Sequence, residues 1–263
     1  MLEVITHTPK AKSTDLPILF VHGMWHSAWC WSEKFMPYFS QRGYQTHAIS
    51  LRGHGNSDGR NKLRWTSLAD YINDLQQVIR KMERPPILVG HSMGGMIVQK
   101  YLELHEAPAA VLLASTTRKV IISSTLATAR HYPLTFLKAI ITMSLFPVVG
   151  NLERCRELFY SSNLPEEELK LYYSRLQDES FRAYLDAMLL SLPEPNRVKT
   201  RMLVLGAAQD QVVKPADVKK YAAAFNTKEH IFPNIAHNMM LDSNWRTVAD
   251  YIINWIENDF VLD

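Results

Sequence analysis

Short apolar runs recur along the chain, each too brief for a helix but long enough for a buried strand. Several are rich in β-branched residues, and their near-continuous hydrophobicity is typical of strands covered on both faces in a parallel sheet. The predicted strands are Ile18–Val21, Thr46–Ile49, Ile87–Val89, Ala110–Leu113, Met202–Leu205 and, from a weaker pattern, His230–Phe232.

Between these runs lie segments whose apolar residues recur at spacings of three and four, as on one face of a helix. The clearest is Leu68–Met82, which Ser67 precedes as a predicted N-cap, with Asp70 placed as in a capping box. Pro85 follows it and ends the helical pattern. A last helix is predicted at Trp245–Ile256. The alternation of strands and helices predicts an α/β fold with a mostly parallel sheet.

The alternation stops in the middle of the chain, where residues 116–197 contain no convincing strand pattern. We interpret this block as a helical cap inserted between two strands of a core made of residues 1–115 and 198–263. Its predicted helices are Ser123–Ala129, Pro133–Met143, Asn151–Tyr160, Pro165–Gln177 and Glu179–Leu190.

Composition places the 263-residue chain among globular proteins, with 47% hydrophobic and 21% charged residues. The formal charge is only +3, and the basic residues form no cluster, which argues against nucleic acid as a partner. Chemistry on a small molecule is therefore the better hypothesis, while the oligomeric state stays open.

The two cysteines, Cys30 and Cys155, lie too far apart for a disulfide framework or a cysteine zinc site. Two idle thiols are expected, with a single bridge as the alternative. No secretory pattern precedes Pro17, and the longest uncharged stretch, Ala139–Leu152, is too short to span a membrane. We expect a cytoplasmic protein without an integral membrane segment.

The first chemical signal is Gly90-His-Ser-Met-Gly94, directly after the predicted strand Ile87–Val89. A bare G-x-S-x-G is weak, but a buried strand before it and a helix after it make a nucleophile elbow. The strained turn lifts Ser92 clear of the sheet and leaves no room for side chains two residues away. Ser92 is therefore the candidate nucleophile.

The second signal is the His22-Gly-Met-Trp25 loop after the first predicted strand. Acyl transfer needs two backbone N–H donors aimed at a developing oxyanion. The sequence predicts that Met93, after the nucleophile, and Met24, in this loop, supply them.

A serine hydroxyl also needs a base and an acid that orients the base. Among ten histidines, His237 follows the last predicted strand, and Asp210 follows the strand Met202–Leu205. Both would then lie with Ser92 at the carboxyl ends of parallel strands. For His22, His54 and His91, we expect supporting hydrogen bonds rather than a catalytic role. The histidines and carboxylates show no metal-ligand spacing, so neither a metal nor a cofactor is predicted.

In this order, the oxyanion, elbow, acid and base segments resemble those of the α/β-hydrolase superfamily over essentially the whole chain. The resemblance implies an α/β-hydrolase fold, a helical cap over the site and ester hydrolysis by a serine triad. The short segment before Ile18 implies that the edge strands of larger members are reduced or absent.

Within the superfamily, His22–Trp31 is similar to the matching segment of plant methylesterases and hydroxynitrile lyases. Those lyases rely on a threonine and a lysine where this chain has Met24 and Asn238, which argues against cyanohydrin cleavage. The Leu51–Ser57 segment is instead similar to bacterial esterases, monoacylglycerol lipases and haloperoxidase-like members. Ser92 stands where dehalogenases and epoxide hydrolases carry aspartate, which argues against both.

Apolar side chains surround the predicted site, so an uncharged, lipophilic ester of short to medium length is the expected substrate. Thioester hydrolysis, acyl transfer, perhydrolysis and carbon–carbon cleavage remain open, as does a receptor that binds without turnover. The predicted substrate-binding residues are Trp25, Met239, Phe136 and Ile140.

Overall fold

The fold is built on a seven-stranded sheet in a computed structural model that describes residues 1–11, 16–189 and 193–259. The strand order is β1-β3-β2-β4-β5-β6-β7. Only β1 pairs antiparallel, and every other neighbouring pair is parallel. The strands are β1 (Val4–His7), β2 (Ile18–Val21), β3 (Thr46–Ile49), β4 (Ile87–His91), β5 (Ala110–Leu113), β6 (Met202–Ala207) and β7 (Glu229–Phe232).

The six predicted strands are present, and the expected α/β architecture is confirmed. Of the edge strands expected to be reduced or absent, one four-residue strand, β1, is present before Ile18 and pairs with β3 in the register Val4↔Ile49. Its side chains are exposed or half-buried, so this strand lacks the buried hydrophobic run of the central strands. Backbone hydrogen bonds to β3 hold it, and these leave little trace in a hydropathy pattern.

Helices cover both faces of the sheet, and two buried clusters fill the spaces between them. One includes Phe35, Phe39 and Ile252 on one face, and the other includes Leu75 and Ile97 on the opposite face. The helices outside residues 116–197 are α1 (Trp29–Ser32), α2 (Phe35–Gln41), α3 (Leu68–Ile79), α4 (Met93–Leu102), α10 (Pro215–Ala224) and α11 (Trp245–Asn254), with a π-helical turn at Trp255–Asp259 and a 3-10 turn at Arg60–Trp65.

Helix α3 begins as predicted, with the Ser67 Oγ accepting from the Asp70 N–H at 3.1 Å. Asp70 Oδ2 accepts in return from the Ser67 N–H at 2.9 Å, which completes the capping box. No helix among the described residues is both long and apolar enough to cross a membrane.

Between β5 and β6, the described residues form helices and no strand, as the pattern predicts. The end of the predicted Glu179–Leu190 helix, at Leu190, lies outside the described residues. The helices of this block are α5 (Arg118–His131), α6 (Pro133–Thr142), α7 (Leu152–Phe159), α8 (Glu166–Ser174) and α9 (Phe181–Leu189), with 3-10 turns at Phe146–Val149 and Pro195–Arg197.

Candidate active site

Ser92 occupies a sharp turn between β4 and α4. Its backbone dihedrals are φ 51° and ψ −119°, in a region that residues other than glycine rarely adopt. The Ser92 N–H donates to the Leu113 carbonyl at 3.0 Å, and its own carbonyl accepts from the Thr116 N–H at 3.1 Å. The neighbouring strand and the loop after it therefore hold the strained residue in place.

Two glycines allow this turn because neighbouring backbone occupies the space a side chain would need. A Cβ on Gly94 would lie 2.3 Å from the Val21 carbonyl oxygen. One on Gly90 would lie 2.7 Å from the carbonyl oxygen of Gly94. Gly23 is similarly confined, since a Cβ there would lie 2.9 Å from the Cβ of Ser92. The loop after β2 and the turn at Ser92 can thus approach each other this closely only because glycine occupies these three positions.

Ser92, His237 and Asp210 are joined by a continuous chain of hydrogen bonds. The Ser92 Oγ lies 3.1 Å from His237 Nε2, and His237 Nδ1 lies 2.8 Å from Asp210 Oδ2. All three residues are buried, and Ser92 is the most exposed of them at 8%. The structure therefore brings the three sequence-predicted side chains together.

The partners of the imidazole fix its tautomer. Asp210 is a carboxylate that only accepts, so His237 Nδ1 carries the hydrogen and donates it. Nε2 is then free to accept from the Ser92 hydroxyl. The other Asp210 oxygen accepts from the N–H groups of Val212 and Val213 at 2.7 and 2.8 Å. These backbone donors orient the carboxylate toward the imidazole.

His91 supports the base through the backbone. Its Nε2 donates to the carbonyl oxygen of His237 at 3.0 Å, and the two rings lie 4.7 Å apart. Burial, aided by repulsion from His237, lowers the pKa of His91 well below its usual range. His91 is therefore a neutral donor that anchors the loop carrying His237.

The predicted oxyanion donors face no competing acceptor among the described residues. Met93 is the first residue of α4, so its N–H has no acceptor within the helix. The Met24 N–H donates to no other described residue either. His22 braces this loop, since its Nδ1 donates to the Gly23 carbonyl at 2.8 Å and its Nε2 accepts from the Leu51 N–H at 3.1 Å.

A cavity of about 100 Å³ opens over Ser92 and His237. Trp25, Phe136 and Ile140 line it, as the sequence predicts. Met239 does not line it, because its side chain is fully buried in the hydrophobic core. The prediction that Met239 binds substrate is therefore wrong, because the chain turns inward after His237.

A wider groove of about 1150 Å³ lies elsewhere, along β1 and α3. Two of the acidic residues that line it, Asp70 and Asp74, are already paired with Arg52. None of the predicted site residues lines this groove. The smaller cavity over Ser92 is thus the one that matches the chemistry.

The sequence profile of the alpha/beta hydrolase family matches residues 18–251. The chain belongs to this family. A solved structure of similar architecture is the esterase from Exiguobacterium antarcticum, with a TM-score of 0.75, 17% identity and 98% and 96% of the two chains covered. That likeness supports the α/β-hydrolase fold.

Curated relatives of this hydrolase-family chain match over shorter segments. Pyrethroid hydrolase from Sphingobium wenxiniae is 29% identical over 103 residues, which cover 39% of this chain and 36% of the relative. Methylesterase 3 from Arabidopsis thaliana is 28% identical over 89 residues, or 33% and 34% of the two chains. The matches thus span about a third of each relative's length, and they confirm the likeness to plant methylesterases.

A polar segment between α8 and α9, which sequence reasoning missed, holds the loop after β2 that carries Met24 and Trp25. Trp25 has a positive φ of 65°, and its carbonyl accepts from the Gln177 N–H at 3.0 Å. The Gln177 side chain donates to the Gly53 carbonyl and accepts from the Gly55 N–H at 3.0 and 2.9 Å. The Trp25 indole donates to the Leu145 carbonyl at 3.2 Å. Both the backbone and the side chain of Trp25, the residue after Met24, are therefore held by hydrogen bonds to the helical block between β5 and β6.

Glu179 in the same segment is a buried carboxylate, 1% exposed. It accepts from the Tyr71 hydroxyl at 2.7 Å and from the Ser180 N–H at 2.6 Å. His54 Nε2 lies 3.2 Å from its second oxygen, and His54 Nδ1 donates to the Arg52 carbonyl at 3.2 Å. The expected hydrogen bond of His54 within its own loop is present, but its contact with Glu179 joins regions distant in sequence.

Buried neutral histidines around the site predict an acid-sensitive fold. Burial lowers the pKa of His26 from 6.5 to about 4, and the pKa values of His22 and His91 are lowered as well. Between pH 4 and 6.5, His26 binds a proton in the unfolded chain but not in the folded chain. The free energy of unfolding is therefore highest above pH 6.5 and falls as the pH drops toward 4.

At pH 5, His26 alone is expected to cost about 2 kcal/mol of the free energy of unfolding. Urea unfolding at about pH 7.5, 6 and 5 measures this, and His26→Gln is expected to show a shallower decline. Equal stability of the wild type at all three pH values would show that these histidines are not held neutral.

Proposed function

We propose that this protein is a serine hydrolase that cleaves carboxylic esters of small to medium, lipophilic substrates through an acyl-enzyme. The observation that carries the proposal is the hydrogen-bonded chain from Ser92 through His237 to Asp210 at the floor of an apolar cavity. The curated relatives named as a hydrolase and a methylesterase support the same reaction class.

In the proposed mechanism, His237 Nε2 takes the Ser92 proton as the Ser92 Oγ attacks the ester carbonyl. The carbonyl oxygen becomes an oxyanion, and the N–H groups of Met24 and Met93 donate to it. The imidazolium at His237 is stabilised by Asp210 and returns its proton to the leaving alcohol. A water molecule, deprotonated by the same base, then cleaves the acyl-enzyme and releases the acid.

The cavity lining supports an uncharged substrate. None of the described residues that line it is a lysine, arginine, aspartate or glutamate. A charged group entering this space would lose water without gaining an ionic partner, which is costly. We further propose that residues 116–197 act as the cap that closes the site, since Phe136, Ile140 and Leu145 from this block line the cavity.

Initial rates on p-nitrophenyl esters from acetate to palmitate test the proposal. We expect turnover with an optimum at short to medium chain length, because the cavity is small and apolar. An ester with a terminal carboxylate and the same chain length is the matched control, and its kcat/KM is expected to be about tenfold or more lower. Absence of turnover, or a preference for the charged ester, would contradict the proposed substrate class. Identifying the products separates hydrolysis from acyl transfer and perhydrolysis.

A further inference from the structure

One wall of the cavity over Ser92 carries a stripe of hydroxyl groups. The helical positions Ser124, Thr125 and Thr128 of α5 lie on one face with Ile121, at spacings of three, four and seven, and all four line the cavity. Tyr184 from α9 lines the same cavity. The stripe defined by Ser124, Thr125, Thr128 and Tyr184 is thus part of the proposed substrate site. Met24, Trp25, Leu145, Val148 and Val212 are among the apolar residues that line the rest of the cavity.

Thr125 and Tyr184, two members of the stripe, are hydrogen-bonded to each other. Thr125 Oγ1 donates its single proton to the Ile121 carbonyl at 2.6 Å, so the hydrogen bond between Thr125 and Tyr184 uses the Tyr184 proton. Burial raises the pKa of Tyr184, which keeps its hydroxyl neutral. The Tyr184 oxygen retains capacity to accept.

The other two members lack protein partners. The hydroxyls of Ser124 and Thr128 make no hydrogen bond to any other residue within 1–11, 16–189 and 193–259, and both residues are half-buried. Covering such groups with an alkyl chain removes their water, and an unsatisfied buried hydroxyl costs about 1–3 kcal/mol. A substrate with an oxygen at this depth would avoid that cost.

We propose that the stripe recognises esters carrying a second, uncharged oxygen function, such as a keto group, at a distance from the scissile carbonyl. This inference rests on the proposed ester hydrolysis at Ser92. The absence of charged side chains among the described lining residues favours a neutral second function. The hydroxyl protons of Ser124 and Thr128 have no protein acceptor among the described residues, so a carbonyl oxygen that accepts from them suits the stripe.

The placement of α5 indicates which chain length to probe. The Thr116 N–H donates to the Ser92 carbonyl at 3.1 Å, and Thr116 and Ser124 both line the cavity. Ser124 lies six residues after Arg118, where α5 begins, which is roughly 9 Å along the helix and matches the length of an acyl chain of about seven carbon atoms. An acyl chain of medium length with its second oxygen near the end therefore suits the test.

The test compares p-nitrophenyl octanoate with its analogue carrying a keto group at the penultimate carbon. For the wild type, we expect kcat/KM about tenfold higher for the keto ester, the effect of one or two added hydrogen bonds. In the triple variant Ser124→Ala/Thr128→Val/Tyr184→Phe, the ratio of the two kcat/KM values should fall to about one or below. Ser123→Ala is the matched control, since this exposed serine of the same helix does not line the cavity, and it should keep the wild-type ratio.

A wild-type ratio near or below one, or a ratio unchanged in the triple variant, would overturn the inference. The single variant Thr128→Val gives the same comparison if the triple variant does not fold. p-Nitrophenyl acetate separates this failure from that of the proposed function, because its acyl group is too short to reach the stripe. Ser92-dependent turnover of acetate with no keto preference would leave ester hydrolysis standing and remove the stripe; no ester turnover would remove both.

Discussion

Ser92→Ala is expected to lower kcat/KM for ester hydrolysis by at least about 10⁴-fold while the fold is retained. The change removes only the Oγ, whose hydrogen bond in this structure is the one to His237. Alanine adopts the strained φ of 51° about as readily as serine, so the elbow should keep its geometry. Without the hydroxyl, no acyl-enzyme forms, and only the oxyanion donors and the cavity remain to accelerate direct attack by water.

The measurement is kcat/KM on the best p-nitrophenyl ester, with thermal unfolding recorded for both proteins. Ser123→Ala serves as the control for a serine lost from the surface, and its kcat/KM should lie within about twofold of the wild type. If Ser92→Ala kept more than about a tenth of the activity, another residue would have to be the nucleophile.

Asp210→Asn is expected to lower kcat/KM by about 10⁴-fold, for a reason that the carboxylate's partners make specific. One Asp210 oxygen accepts from two backbone N–H groups, those of Val212 and Val213. An asparagine can accept from both N–H groups only if its carbonyl oxygen faces Val212 and Val213. Its NH₂ group then faces His237 Nδ1. The imidazole then accepts at Nδ1 and carries its proton on Nε2, where it cannot receive the Ser92 proton.

Rates at several pH values and thermal unfolding of Asp210→Asn measure this effect. Asp217→Asn is the control, because Asp217 lies on α10 and pairs with the exposed Lys119. We expect it to change kcat/KM by no more than about twofold. A loss below about tenfold in Asp210→Asn would mean that His237 does not depend on Asp210 for its tautomer.

The central strands and the elbow could be predicted from sequence because each rests on a local rule. A strand buried on both faces, such as Ile18–Val21, must be apolar throughout, and that run is visible without any partner. Gly94 is needed because the Val21 backbone fills the space of a side chain, and a strand-turn-helix motif implies this contact. The parallel topology then explains why Asp210 and His237, far apart in sequence, meet Ser92 at one edge of the sheet.

What the sequence did not reveal depends on contacts between distant segments. Strand β1 is held by backbone bonds to β3, which any side chain permits. The hydrogen bonds of Gln177 and Glu179 join the helical block to the loop at Gly55 and to Tyr71 of α3, each more than a hundred residues away, and polar residues in a surface pattern give no hint of them. Nearness to His237 in sequence predicts Met239 in the cavity, but the turn after His237 directs its side chain into the core.

The most direct test of the account is covalent labelling of the protein with a fluorophosphonate, followed by intact mass and peptide mapping. We expect one phosphonyl group per molecule, located on Ser92, with esterase activity lost in proportion to labelling and no label on Ser92→Ala. Labelling of Ser92→Ala at the wild-type rate, or full activity in the labelled wild type, would contradict it.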